Sequence, residues 1–272
     1  MTTAAPVKSE TVARPPRPDR SWPYRLGSLA LVAAILAGWQ FLPSTGLVST
    51  IILPPFTDVV RALWELVTSG FFYTHLRVTL TEIFVGFFVG TAIGLVGGIA
   101  LAVWKPVKRL TYPFVVGFQA VPKIVFAPLF IAWLGYGQAS KVLMAVVISF
   151  FPVLINTLVG LESVPQDAVK LMRSLRATPL QTFRKVSFPH ALPLIFAGVK
   201  AALTFAVIGA LVGEFVGASE GLGYLLDSYN FQLRVDSVFA VIVVLAAIGS
   251  GLYFIVEWLD TKLIFWREDQ RG

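Results

Sequence analysis

The chain has 272 residues, of which 56% are hydrophobic and 14% charged, with a formal net charge of +7. A soluble globular domain has roughly 45–50% apolar and about 25% charged residues, so a single water-soluble core is excluded and a polytopic membrane protein is indicated. The absence of cysteine excludes a disulfide framework, Cys-ligated zinc, an iron–sulfur cluster and a thiol nucleophile. Two histidines, His75 and His190, are too few and too far apart for a metal site.

Residues 1–21 carry Pro6, Pro15, Pro16 and Pro18 among Arg14, Arg17 and Arg20, without apolar periodicity, and read as a disordered basic tail. Residues 22–272 read as one transmembrane domain. The apolar run 26–42 ends at Gln40-Phe41-Leu42-Pro43 without a small-residue cleavage site, so it is expected to stay as the first span. Residues 58–71 place apolar side chains at helical spacing, with Arg61 and Glu65 four apart, which predicts a short amphipathic helix on the outer surface. Five further apolar stretches lie near 77–103, 113–134, 142–161, 192–217 and 237–258. Each approaches or exceeds the roughly 20 residues that cross a bilayer as a helix. The expected fold is an all-α integral membrane protein of about six transmembrane helices.

Lys and Arg in the connections set the orientation. Lys8, Arg14, Arg17, Arg20 and Arg25 precede the first span, and Lys105, Lys108 and Arg109 follow the second. Lys170, Arg173, Arg176, Arg184 and Lys185 lie between spans four and five, and Lys262, Arg267 and Arg271 close the chain. These sets hold 16 of the 22 basic residues and share one side of a six-span arrangement. Both termini are therefore expected in the cytoplasm, membrane lipid is the surrounding partner, and the basic balance reflects topology rather than nucleic-acid binding.

The connection 162–190 is long for this chain. Residues 166–177 predict a helix with Val169, Met172 and Leu175 on one stripe and Lys170, Arg173 and Arg176 beside it. Thr178-Pro179 then starts a second helix, with Thr178 as its N-cap and Pro179 at its first position. Two short helices joined by a tight turn would make a compact knob.

At this point the chain resembles the inner-membrane permease subunits of binding-protein-dependent ABC importers. Their cytoplasmic motif, E-A-A-x(3)-G-x(9)-I-x-L-P, falls here on Lys170-Leu171-Met172, Arg176, Val186, Phe188 and Pro189 with its spacing intact. Lys replaces Glu, Leu-Met replaces Ala-Ala, and Arg176 takes the glycine position. Phe188-Pro189-His190-Ala191-Leu192-Pro193, Trp133-Leu134-Gly135-Tyr136-Gly137, Phe150-Phe151-Pro152, Gly213-Glu214-Phe215 and Gly221-Leu222-Gly223-Tyr224 look like the sulfonate/nitrate/taurine branch, over roughly residues 50–266. The resemblance implies a type I ABC importer permease architecture in a bacterial cytoplasmic membrane. It also implies a coupling helix between spans four and five, with Lys170, Leu171, Met172, Arg173, Arg176, Ala177 and Thr178 contacting a separate ATP-binding cassette subunit. Further implied partners are an extracytoplasmic solute-binding protein and a second copy of the chain in a homodimer.

No G-x(4)-G-K-[ST] phosphate loop, Gly-x-Ser-x-Gly elbow or His-Glu-x-x-His pair is present. The chain is therefore expected to be non-catalytic and to bind no cofactor, with ATP and magnesium held by its partner. Polar side chains inside spans cost about 2.5–3.5 kcal/mol on insertion scales unless they face a cavity or a partner, which singles out Gln119, Lys123, Ser149, Asn156 and Glu214 as candidate pathway residues. Lys123, four residues after Gln119, would suit an anionic or strongly polar substrate; alternatively, Pro122 breaks the helix and Lys123 satisfies freed carbonyls. Ser149 and Asn156 line the pathway or bond between helices. Glu214 pairs with Lys141 or Arg77, or forms an outer gate against the Gly221–Tyr224 turn. Glu82 and Lys200 are expected near span ends. Gly86, Gly90, Gly94 and Gly98 permit close helix approach, within the subunit or across a dimer. Phe118, Phe126, Phe150 and Phe151 stack on a planar substrate or simply pack.

The substrate expectation is a small polar or anionic solute of the nitrate, sulfonate, taurine, aromatic-acid or pyrimidine-precursor class. A stand-alone secondary transporter or channel is the alternative. Such transporters are commonly built from inverted repeats, and none is evident here.

Overall fold

In a computed structural model the described residues are 21–263, and helices make up nearly all of them, with no strand among them. The tail expected at 1–21 lies outside the described residues but for Ser21, as do Arg267 and Arg271. The first span is α1 (Ser21–Ser44), and the amphipathic segment is α2 (Phe56–Thr68), which turns Val59, Ala62 and Leu66 inward. Pro55 at the N-cap of α2 has no side-chain acceptor, and α1 supplies one: Gln40 Oε1 accepts from the Thr57 N–H at 3.1 Å. Trp39 Nε1 donates to the Pro54 carbonyl at 2.9 Å. Residues 26–37 of α1 are exposed.

The centre of the bundle is α6 (Gln138–Glu162), clamped between α3 (Gly70–Val103) and α9 (Phe188–Gly217). Glycines make this possible. A Cβ at Gly86 would overlap Ala145 and one at Gly90 would overlap Ser149. At Gly94 it would lie 2.5 Å from the Phe150 carbonyl oxygen, and at Gly98 2.6 Å from Thr157 Cβ. On the other flank, Gly198 and Gly209 would each place a Cβ 2.7 Å from α6 atoms. The four-residue stripe is thus consumed within the subunit. Ile83, Val153, Ala202, Leu203 and Ala206 fill the core between these three helices.

Two differences from the expected spans have physical causes. The third, expected over 113–134, is broken into α4 (Lys105–Ala120), a 3-10 turn (Lys123–Phe126) and α5 (Ala127–Leu134), with a 91° bend. Pro122 pushes the residue before it out of the helical region, and Val121 duly sits at φ −72°, ψ 129°. The second helix expected after Thr178 is not a separate short one. It is α8 (Pro179–Thr182), which passes through a π turn (Phe183–Ser187) straight into α9. Pro189, near the start of α9, cannot donate an N–H and crowds the preceding turn, and a widened turn is one way a helix absorbs such a residue.

At one end of the bundle lie α2, α10 (Leu222–Phe231) and the start of α11 (Val235–Leu263), joined through Ala62, Leu66, Leu222, Leu225, Ala240 and Val241. At the other is α7 (Gln166–Ser174). There Lys108 Nζ pairs with Glu162 at 2.5 Å, bringing the two basic connections together. Lys200, on α9, bridges to Glu257 at 2.8 Å and Asp260 at 2.7 Å on α11.

Candidate functional site

The α7 end is a preformed surface. Asp167 in the first turn of α7 and Arg173 in the last both complement the helix dipole. The helix stops in a Schellman motif: the Ala177 N–H bonds to the Met172 carbonyl at 3.0 Å and the Arg176 N–H to the Arg173 carbonyl at 2.9 Å. Arg176 therefore occupies the left-handed position, at φ +54°. That conformation favours glycine, which is the residue the importer motif places at this position. A capping box follows at once. The Gln181 N–H donates to Thr178 Oγ1 at 3.2 Å, and the Thr178 N–H donates to Gln181 Oε1 at 2.8 Å. Between these two caps each backbone N–H from Leu175 to Thr178 is bonded. It presents Leu171, Leu175 and Leu180, each at least 60% exposed, alongside exposed Lys170, Arg173 and Arg176. Met172 and Ala177 are half-buried, and Lys170 pairs with Asp167 at 3.0 Å.

The candidate pathway residues separate into four places. Gln119 and Lys123 flank the break between α4 and α5, where Lys123 Nζ donates to the Gln119 carbonyl at 3.2 Å and lies 5.1 Å from the Phe151 ring centre. Phe118 and Phe126 stack across the same break, with ring centres 6.4 Å apart. Ser149 is fully buried and bonds to the carbonyls of Val146 and Gly86, so it sits in the α3–α6 seam. Asn156 is half-buried, donates to the Pro152 carbonyl at 2.8 Å, and faces Gly198 on α9.

Glu214 lies at the opposite end from α7, and it does face the Gly221–Tyr224 turn. Its Oε2 accepts from the Gly223 N–H at 2.5 Å and its Oε1 from the Thr79 hydroxyl at 2.6 Å. Arg77 is exposed and is not part of this contact. Glu82, expected near a span end, is instead buried beside Glu214. Helix α3 begins at Gly70, seven residues before the expected start of that span, so Glu82 is three turns inside it. Sequence reading missed the group as a cluster, because its members come from three helices far apart in the chain.

Residues 90–265 match the family described as the binding-protein-dependent transport system inner membrane component. The chain belongs to this family. Among relatives of this permease, a putative aliphatic sulfonates transport permease of Bacillus subtilis (strain 168) is 34% identical, over 95% of this chain and 93% of its own length. A probable ABC transporter permease of Haemophilus influenzae is 36% identical over 88% and 97%. The taurine transport permease of Escherichia coli K12 is 30% identical over 88% and 89%. A chain of the MetNI methionine ABC transporter in an inward-facing conformation superposes with a TM-score of 0.57, covering 77% of this chain and 95% of that one, at 24% identity. The permease thus has the type I importer architecture expected for it.

Proposed function

We propose that the chain is the translocating subunit of an ATP-driven importer for a small polar or anionic solute of the sulfonate, taurine or pyrimidine-precursor kind. It works as a pair of copies, is fed by a soluble binding protein and performs no hydrolysis itself. Both termini lie in the cytoplasm, on the side of α7. The rigid, doubly capped α7–Thr178 turn is the observation that carries this reading. Transmitting force to a separate ATPase requires an element that does not yield, with apolar side chains to seat in a groove and charges to orient it. Leu171, Leu175 and Leu180 supply the first, and Lys170, Arg173 and Arg176 the second.

The solute path is assigned to the break between α4 and α5. There Lys123 offers a cation, Gln119 an amide, and Phe118 and Phe126 flat apolar faces. Substrate names among relatives support a small polar solute at such a site, with an anion as one case: permeases similar to this chain are named for sulfonates, taurine and formylaminopyrimidine. The chain has no cysteine, so a single cysteine at Leu171 offers a unique crosslinking point. Crosslinking of that variant in native membranes to an ATP-binding subunit is the expected result. A crosslink to lipid alone, with transport surviving ATP depletion, would favour a secondary transporter or channel.

A further inference from the structure

Around the start of α10 the polar groups can be accounted for one by one. Three successive N–H groups are accepted by side chains of two spanning helices: Gly221 by His75 Nδ1 at 2.9 Å, Leu222 by Thr79 Oγ1 at 2.7 Å and Gly223 by Glu214 Oε2 at 2.5 Å. The Thr79 hydroxyl then donates its own hydrogen to Glu214 Oε1. The ammonium of Lys141 directs its three N–H groups to the carbonyls of Tyr136, Gly137 and Gly217, so none remains for a carboxylate. Gly221 is at φ +119°, and a side chain there would collide with the Glu214 carboxyl.

One group is left over. Glu82 is 1% exposed and lies within hydrogen-bonding reach of Glu214, and its Oε2 has no donor. As an anion it would be a buried acceptor without a partner, set against a second carboxylate, and such an arrangement is costly. A proton on Glu82 removes both faults, since the acid donates to Glu214. Two carboxyl groups in hydrogen-bonding contact can share one proton, because like charges so close cannot both ionise. The charge count agrees: the three groups are neutral only when one carboxyl is the acid, and Glu214, whose two oxygens already accept from Thr79 and Gly223, is the anion that Lys141 balances.

We propose that Glu82 and Glu214 hold one proton between them, and that this proton ties α3 to α9 while keeping Glu214 in place as the acceptor that seals the start of α10. Besides the pair, the ionisable groups around it are Lys141 on α6, His75 on α3 and, facing His75, Glu220 in the turn before α10. Losing the proton sets two anions against each other across the α3–α9 seam and weakens the acceptor that holds the Gly223 N–H at the start of α10. The site stands whether or not the importer reading does.

Infrared spectroscopy of the purified full chain in lipid nanodiscs at neutral pH tests this directly. The expected result is a protonated-carboxyl band worth one group per chain, lost in Glu82→Gln and kept in Glu65→Gln on the exposed face of α2. The amide of Glu82→Gln can donate to Glu214 in place of the acid. Its melting temperature is expected to stay level as the pH is made alkaline, while that of the wild type falls. Should Glu82→Gln not fold, Glu214→Gln must lose the same band. A folded wild type without the band, or a folded Glu82→Gln that keeps it, would overturn the proposal.

Discussion

Arg176 offers a way to separate backbone strain from charge at the α7 turn. A non-glycine residue in the left-handed region costs about 1–2 kcal/mol, and Arg176 sits there at φ +54° with its backbone fixed by the Schellman bonds. Arg176→Gly removes that strain. It also loosens the unfolded segment, which takes back roughly 0.4–1 kcal/mol. The net gain is about 1 kcal/mol, equivalent to roughly a fivefold slower opening of the turn on the scale of tenfold per 1.4 kcal/mol. Arg176→Ala removes the same charge but leaves the strain. Hydrogen exchange at the amides of Arg176 and Ala177 should therefore slow about fivefold in Arg176→Gly and stay near wild type in Arg176→Ala. Equal exchange in the two variants would refute the strain argument. Substrate-stimulated ATPase activity of the complex gives the other half. If the guanidinium helps docking, both variants lose activity to the same degree, despite the stiffer turn in one.

Replacing Arg173 and Arg176 together with Glu should lower substrate-stimulated ATPase activity severalfold while membrane insertion, read by protease accessibility, is unchanged. Gly94→Ala would set a Cβ against the α6 backbone and should destabilise by about 1–3 kcal/mol. Gly249→Ala meets nothing within 4 Å and should be neutral or slightly stabilising, because alanine is the better helix former by about 0.5–1 kcal/mol; thermal unfolding in detergent compares the two. Lys123→Met should leave the melting temperature close to wild type, since the ammonium has one carbonyl bond and one ring contact. Uptake of an anionic solute by reconstituted vesicles should nevertheless drop. Unchanged uptake would remove Lys123 from the path.

The long apolar runs and the basic connections were enough to anticipate most of the membrane-crossing helices, because burial in lipid demands length and hydropathy that a sequence displays openly. The cap at Thr178 was equally legible, being a local matter of residue type and spacing. The break at Pro122 was visible only as an alternative account of Lys123, and the structure follows it: the helix ends, and the ammonium binds the Gln119 carbonyl. Ser149 shows a limit of the insertion-cost argument, since a serine closing a glycine-lined seam costs nothing that calls for a pathway. The Glu82–Lys141–Glu214 cluster was the least legible. No spacing links α3, α6 and α9, and a start for α3 placed several residues late moved Glu82 to the membrane edge. Glycine at 221 and 223 was the available signal, since both stand where the Glu214 carboxyl occupies the space of a side chain.

Affinity purification of the tagged chain from native membranes in mild detergent, with its companions identified and transport measured with and without ATP, tests the central claim most directly. An ATP-binding subunit recovered in about equal amount, together with transport that stops on ATP depletion, is the predicted result. A chain that purifies alone while transport continues without ATP would contradict it.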